Sequence, residues 1–143
     1  MKLGNTRMIS TAVSHPNKAI VIYWGNSNDQ LNIPSRVSLS MTLKGVERQL
    51  DYTVSLKTSF ADRDRVFVGG REDRGEIYSY FMRQLKAMRE VTGYKGRIAI
   101  YTNTTFPVGS GLAGSAAASS AFAEAFAGLS NPGMDKKTHC RSA

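Results

Sequence analysis

Cysteine is almost missing from this 143-residue sequence: the single one, Cys140, lies near the C-terminal end. That excludes an intrachain disulfide framework and a cysteine-built zinc site, and it fits a reducing, cytoplasmic setting. Long apolar runs are missing too. The longest candidate, Ala19–Trp24, falls far short of the ~20 residues a membrane-spanning helix needs, so no membrane partner is expected. Met1–Ser10 contains no apolar stretch of the kind a secretory signal carries. There is no internal repeat and no linker between two domains. No Gly-Lys-Ser/Thr follows a glycine-rich stretch, which excludes a lysine-bearing Walker loop.

What is there is an ordinary globular composition, 41% hydrophobic and 21% charged, sufficient for one domain with a real core. Disorder is not expected over most of the length. The net charge of +8 favours anionic partners such as nucleic acid or phosphorylated metabolites. The basic residues are scattered, however, and the densest stretches, Arg63–Arg74 and Arg83–Arg97, are interrupted by Asp and Glu. Charge alone therefore does not choose a partner. Nucleic acid is disfavoured because the basic residues are not joined to an aromatic stacking platform.

Hydrophobic periodicity gives the elements. Ala19–Trp24 is a short continuous apolar run and reads as a buried strand. Asn26–Gln30 reads as a polar turn. Val37, Leu39, Met41 and Leu43 alternate with Ser38, Ser40 and Thr42, the pattern of a half-buried strand. Tyr52, Val54 and Leu56 repeat it, and Arg65–Val68 is a further strand closed by Gly69-Gly70. The period then lengthens. Ile77, Phe81, Leu85 and Met88 predict an amphipathic helix over Glu76–Val91 that Gly93 ends. Arg97–Tyr101 is a strand, and a second, Ala-rich helix is expected from about Leu112 to Ala127, with Phe122 and Phe126 one turn apart and Asn131-Pro132-Gly133 as its stop. This order predicts an α+β, two-layer fold. It places one domain over residues 1–133 and a loose tail over 134–143.

The segment Phe106-Pro107-Val108-Gly109-Ser110-Gly111-Leu112-Ala113-Gly114-Ser115-Ala116-Ala117 carries the strongest chemical signal. Its glycines and small side chains let backbone approach a ligand closely. It runs directly into a helix, where unpaired amides and the helix dipole favour phosphate. Ser115 falls in the first helical turn, positioned for a phosphate oxygen or a magnesium ion. The same composition also suits a flexible loop ahead of a packing helix.

The order of residues goes further. Pro107 to Ala117 resembles the phosphate loop of the GHMP kinases, Pro-x-x-x-Gly-Leu-x-Ser-Ser-Ala, with Gly114 in place of the first paired serine. His15 to Asn26, with Asn17, Ala19, Tyr23, Trp24 and Gly25, resembles the Pro-x-Asn-Ile-Ala-x-x-Lys-Tyr-Trp-Gly-Lys signature of the mevalonate-diphosphate decarboxylases. Ile33-Pro34 and Ser38 to Leu43 are similar to that family's Leu-Pro-x-x-x-Ser-x-Ser-x-Thr-Leu. Asp64 to Glu72 is similar to its Asp-Arg-x-Trp-Leu-Asn-Gly-Arg-Glu.

The resemblance implies a GHMP kinase N-terminal domain, related in fold to a ribosomal-protein domain. It implies an ATP- and Mg2+-dependent enzyme that phosphorylates the tertiary 3-hydroxyl of diphosphomevalonate and releases phosphate and carbon dioxide to give isopentenyl diphosphate. By match, Tyr23, Trp24, Gly25, Asn26 and Arg71 would contact the phosphorylated mevalonate-type substrate. Gly109, Ser110, Gly111, Leu112, Ala113, Gly114 and Ser115 would hold the ATP phosphates, with Ser115 on the magnesium. Two lysines flanking Tyr-Trp-Gly in the family are Ile22 and Asn26 here, and Lys18 is placed by strand parity on the face of Ile22 as a partial substitute. Lost lysines also fit relatives acting on 5-phosphomevalonate, mevalonate 3,5-bisphosphate or mevalonate. The family's catalytic aspartate lies C-terminal to the matched region. The expectation is thus an N-terminal part of the enzyme, weakly active or inactive alone, or a non-catalytic phosphate-binding module. Its oligomeric state is open between a homodimer and a partner chain that supplies the C-terminal half.

Overall fold

The computed structural model describes residues 8–21, 26–28, 33–34, 39–43, 50–107 and 114–130. Among them a five-stranded mixed sheet forms the frame. Its strands are β1 (Ile9–Ser14), β6 (Tyr52–Ser59), β9 (Arg97–Thr104), β7 (Arg65–Val68) and β8 (Arg71–Asp73), in that spatial order. All neighbours are antiparallel except β7 and β9, which run parallel with Val66 opposite Ile100. Two short ribbons stand apart from it: β2 (Asn17–Val21) with β5 (Leu39–Thr42), and β3 (Asn26–Asn28) with β4 (Ile33–Pro34).

Helices α1 (Glu76–Thr92) and α2 (Gly114–Ser130) supply the second layer. Their apolar stripes meet one face of the sheet, as two-layer packing requires. Val54, Leu56, Val66, Ile98 and Ile100 from the sheet are fully buried against Phe81 and Leu85 of α1 and Ala121, Phe122, Ala125 and Phe126 of α2. The rings of Phe81 and Phe122 lie 5.7 Å apart and those of Phe122 and Phe126 6.0 Å apart, an aromatic seam between the helices. Sequence periodicity anticipated Val54, Leu56, Phe81, Leu85, Phe122 and Phe126, while Val66, Ile98 and Ile100 fall in segments read only as strands.

Helix α1 is bounded by identifiable chemistry. The Asp73 carboxylate accepts hydrogen bonds from the amides of Gly75 (3.1 Å) and Tyr78 (2.8 Å), satisfying donors that the first turn leaves open. Gly93 ends the helix at φ 70°, where its amide reaches the Arg89 carbonyl at 2.8 Å. The buried Asp64 then ties three elements together. Its oxygens accept a two-pronged pair of bonds from Arg89 of α1 (2.7 and 2.9 Å) and one from the Ile98 amide of β9 (2.9 Å), with Arg97 at 3.4 Å.

Strand β1 was not found from periodicity, because it carries no inward row of large apolar residues: Ile9 and Val13 are exposed, while Ala12 faces the core. Four expectations need correction. The expected buried strand at Ala19–Trp24 overlaps β2, which starts at Asn17 and, among the described residues, pairs only with β5, leaving Ile20 61% exposed; positions 22–24 lie outside the described residues. All four residues of β5 are likewise exposed, so the alternation of Leu39 and Met41 marks a two-stranded ribbon outside the helix-covered sheet. The polar turn expected at Asn26–Gln30 begins with β3, whose Asn26 and Asn28 pair with Pro34 and Ile33. Helix α2 extends to Ser130, three residues past the expected end, because Leu129 still packs into the core. Val37, Ile22, Leu112, Ala113 and the expected stop and tail over 131–143 lie outside the described residues.

Candidate functional site

The register of the sheet gathers the motif segments at one end. Ser14 at the end of β1, Tyr52 at the start of β6 and Thr104 at the end of β9 share one row. Val68 stands level with Thr102, so the following Gly69-Gly70 turn reaches toward the same end; the Gly69 amide donates to the Thr102 carbonyl at 3.2 Å. Both glycines adopt positive φ, 55° and 85°, a backbone that side-chain-bearing residues rarely adopt. That conformation turns the chain tightly from β7 into β8 and delivers Arg71.

Arg71 differs from every other arginine in its segment. Glu72 gathers Arg65 (2.9 Å), Arg63 (3.1 Å) and Arg74 (3.7 Å) around one carboxylate. The Arg65 hydrogen bond, together with the charges of the three arginines, holds the Glu72 carboxyl below its ordinary value despite some desolvation. Arg71 is exposed and makes no ion pair among the described residues. Strand alternation explains the split. Glu72 lies opposite Phe67 on the face away from the helices, whereas Arg71 shares the helix-bearing face with Asp73. One residue step thus separates a neutralised charge from a free one.

The start of α2 is fixed from three sides. Phe106, 4% exposed, anchors the chain as it leaves β9, and its ring lies 6.3 Å from that of Tyr52. A Cβ added to Gly114 would meet the Phe106 ring at 3.3 Å. The glycine that replaces the first paired serine is therefore matched to this aromatic floor. The Ser14 hydroxyl donates to the Ala117 carbonyl, and the Tyr80 hydroxyl to the Ser115 carbonyl at 2.6 Å. Ser115 and Ala116 are exposed, and the first turn of α2 carries no acidic side chain. A first described turn with small, exposed residues and no competing carboxylate fits a polyphosphate. Among the described residues no group of three His, Cys, Asp or Glu side chains is placed to hold a metal ion.

Of the residues singled out from sequence, Arg71, Gly114 and Ser115 are thus brought to one end of the sheet. Asn26 is placed in β3. Tyr23, Trp24, Gly25, Gly109, Ser110, Gly111, Leu112 and Ala113 lie outside the described residues. Lys18 is exposed opposite Met41, and the β2–β5 register shifts between Ala19 and Val21; Ile22 lies outside the described residues. His15 sits 3.0 Å from Asp51 and 3.2 Å from the Leu50 carbonyl, linking the β1–β2 turn to the start of β6. Sequence reasoning missed Tyr80 and Ser119 and read Asp64 only as part of a motif match; the partners of all three lie 25 to 39 residues away. Among the described residues no helix is long and apolar enough to cross a membrane.

Comparison with known proteins agrees with this architecture. The family model of the diphosphomevalonate decarboxylase-like N-terminal domain matches residues 14–143. The diphosphomevalonate decarboxylase of Gibberella zeae is 28% identical over 89% of the chain and 36% of its own length. The phosphomevalonate decarboxylase of Haloferax volcanii is 30% identical over 82% of the chain and 37% of its own length. The chain therefore spans little more than a third of these relatives. Among solved structures, the mevalonate diphosphate decarboxylase of Enterococcus faecalis, whose ATP binding is mediated by mevalonate diphosphate, superposes with a TM-score of 0.81 at 21% identity, covering 96% of the chain and 42% of that protein. A further solved chain, in complex with MVAPP, AMPPCP and magnesium, also gives 0.81 at 21% identity, over 96% of this chain and 41% of its own. The shared architecture is the GHMP-kinase-type fold expected from the phosphate-loop resemblance. On these matches, the chain belongs to the diphosphomevalonate decarboxylase-like family and carries its N-terminal domain.

Proposed function

We propose that this chain is the nucleotide- and substrate-binding lobe of an ATP-dependent decarboxylase acting on a phosphorylated mevalonate. The observation that supports this most is that Arg71, exposed and unpaired among the described residues, and the acid-free first described turn of α2 at Gly114–Ser115 lie toward the same end of one sheet. Gly109 to Ser115 would hold the phosphates of ATP and Ser115 its magnesium. ATP supplies the phosphoryl group that converts the tertiary 3-hydroxyl into a leaving group. Arg71 would fork onto the terminal phosphate of the mevalonate, a bidentate contact for which guanidinium geometry is suited. Tyr23, Trp24, Gly25 and Asn26 would line the same substrate. Positioning and charge neutralisation are what phosphoryl transfer asks of such residues.

The rest of the cleft, with its catalytic aspartate, is a partner of this lobe in the same reading, whether carried on the same polypeptide or on another. Reaction in the cytoplasm fits the single cysteine. A second reading, in which the substrate carries one phosphate fewer, is favoured by Ile22 and Asn26 in place of two cationic residues and by the likeness to a phosphomevalonate decarboxylase.

Titration calorimetry on the 143-residue chain tests the proposal. Arg71→Ala should weaken binding of 5-diphosphomevalonate and 5-phosphomevalonate by tenfold or more, the scale of a lost charge-assisted contact. It should leave ATP affinity within twofold. Equal affinity of wild type and variant for both mevalonate phosphates would remove Arg71 from the substrate site. The ratio of the two wild-type affinities chooses between the two substrates.

A further inference from the structure

The basic stretch Arg83–Arg97 has no part in the site described above, and the fold gathers most of it around one hollow. Helix α1 stops at Gly93, and the chain turns back through Tyr94, Lys95 and Gly96 to enter β9 at Arg97. Between the helix, from Met82 onward, and this returning segment lies a cavity of about 460 Å³, within the size range of small-molecule sites. It stands at the Arg97 end of β9, whereas Gly114 and Ser115 lie toward the Thr104 end. Seven strand steps, about 23 Å, separate the two ends.

The inner surface of the cavity is apolar. Leu85 is buried there, and Met82 and Tyr94 are half-buried. The Tyr94 ring is held firmly. It packs edge-on against Phe126, centroids 5.5 Å apart. A Cβ on Gly96 would come within 2.5 Å of Tyr94 Oη and 2.7 Å of its Cζ, so the glycine lets that ring lie across the turn. The rim is cationic: Lys86, Arg89, Lys95 and Arg97 face the lining's one carboxylate, Glu90. Arg89 and Arg97 are engaged with the buried Asp64. Lys86 and Lys95 are exposed and form no ion pair among the described residues. An apolar floor inside a ring of cations complements a molecule with a hydrocarbon tail and an anionic head. The tail loses its contact with water in the hollow, and the head stays at the rim, where flexible lysine stems can follow it.

We propose that this cavity binds a soluble, single-chain amphiphilic anion, an alkyl phosphate. The two uncommitted lysines match the charge of a phosphate monoester, nearly −2 at neutral pH. The test is an NMR titration of the 143-residue chain with decyl phosphate below its micelle concentration, beside hexyl phosphate, inorganic phosphate and decanol. Decyl phosphate should shift the amides of Gly93 to Arg97 and saturate. Hexyl phosphate should bind at least about tenfold more weakly, because four methylenes are removed from the hollow. Inorganic phosphate and decanol, each lacking one half of the ligand, should bind more weakly than decyl phosphate. Lys86→Gln and Lys95→Gln should each weaken decyl phosphate roughly 3- to 10-fold. Saturating ATP should leave its affinity within twofold, which keeps this site's failure separate from any failure at the α2 start. Equal affinity for hexyl and decyl phosphate, or for decanol and decyl phosphate, overturns the proposal. So do shifts confined to α2, competition by ATP, or binding to anionic phospholipid vesicles without binding of the free amphiphile. The two lysines are exposed, so their variants leave the core untouched, and the tail-length comparison needs no variant at all.

Discussion

Two carboxylates eight residues apart each collect arginines, and they do different jobs. Asp64 is 7% exposed and takes bonds from Arg89, the Ile98 amide and Arg97, locking α1, β7 and β9 together. Glu72, on the solvent side of β8, takes Arg63, Arg65 and Arg74 and joins only neighbouring turns of chain. The chemistry is the same in both. Burial separates them: a charge pair inside the protein is screened little, and losing one partner strands the other, whereas exposed pairs are screened and contribute little. A count of ion pairs would treat them alike; their surroundings do not.

The comparison is broken most severely at Asp64. Asp64→Ala should lower stability by about 3–5 kcal/mol, the cost of leaving a buried cation and a core amide unpaired, measured as a urea midpoint at neutral pH. Acid should erase the difference. Burial raises the Asp64 pKa, but the Arg89 and Ile98 hydrogen bonds and the two arginine charges outweigh it and hold it below 3.8. A depressed folded pKa gives stability that is fully present above the unfolded value and is lost as pH falls through the folded one. Wild type and Asp64→Ala should therefore converge on acidification below about pH 4, and a gap that persists in strong acid would contradict the ionic origin.

Asp73, next to Glu72, sharpens the contrast from the other side. Its carboxylate meets backbone amides instead of cations. Asp73→Ala should cost about 1 kcal/mol, a helix-cap loss, seen as earlier hydrogen exchange in the first turn of α1. Glu72→Gln is expected to do least: a small drop in melting temperature at low salt that disappears in 1 M NaCl. Should Glu72→Gln prove as damaging as Asp64→Ala, burial would not be the deciding variable.

Legibility followed side-chain size. Phe81, Leu85, Phe122 and Phe126 were readable because bulky residues at helical spacing admit one interpretation. Strand β1 was not. Its inward positions are Ser10, Ala12 and Ser14, and its large residues, Ile9 and Val13, point outward. The reason lies in α2. Its alanines let the helix lie close to the sheet, and a Cβ on Gly128 would meet Ser10 Oγ at 2.5 Å. Where two small-residue surfaces pack together, the core leaves no apolar alternation in either sequence. The candidate site was legible as residue types, through Gly114, Ser115 and Arg71. The hydrogen bonds of Tyr80 with Ser115 and Ser119 were not, since nothing in sequence joins residues 35 and 39 positions apart.

By itself, then, the sequence determined the helix periods, the glycine turn at Gly69-Gly70 and the phosphate-loop pattern ahead of α2, because each depends on neighbouring residues and local sterics. Only the tertiary structure decided which arginine is left free and which carboxylate is buried. It alone decided that Tyr80 reaches the Ser115 carbonyl. Those outcomes depend on which face a strand presents and on what packs over it, and both are fixed by contacts between elements far apart in the chain.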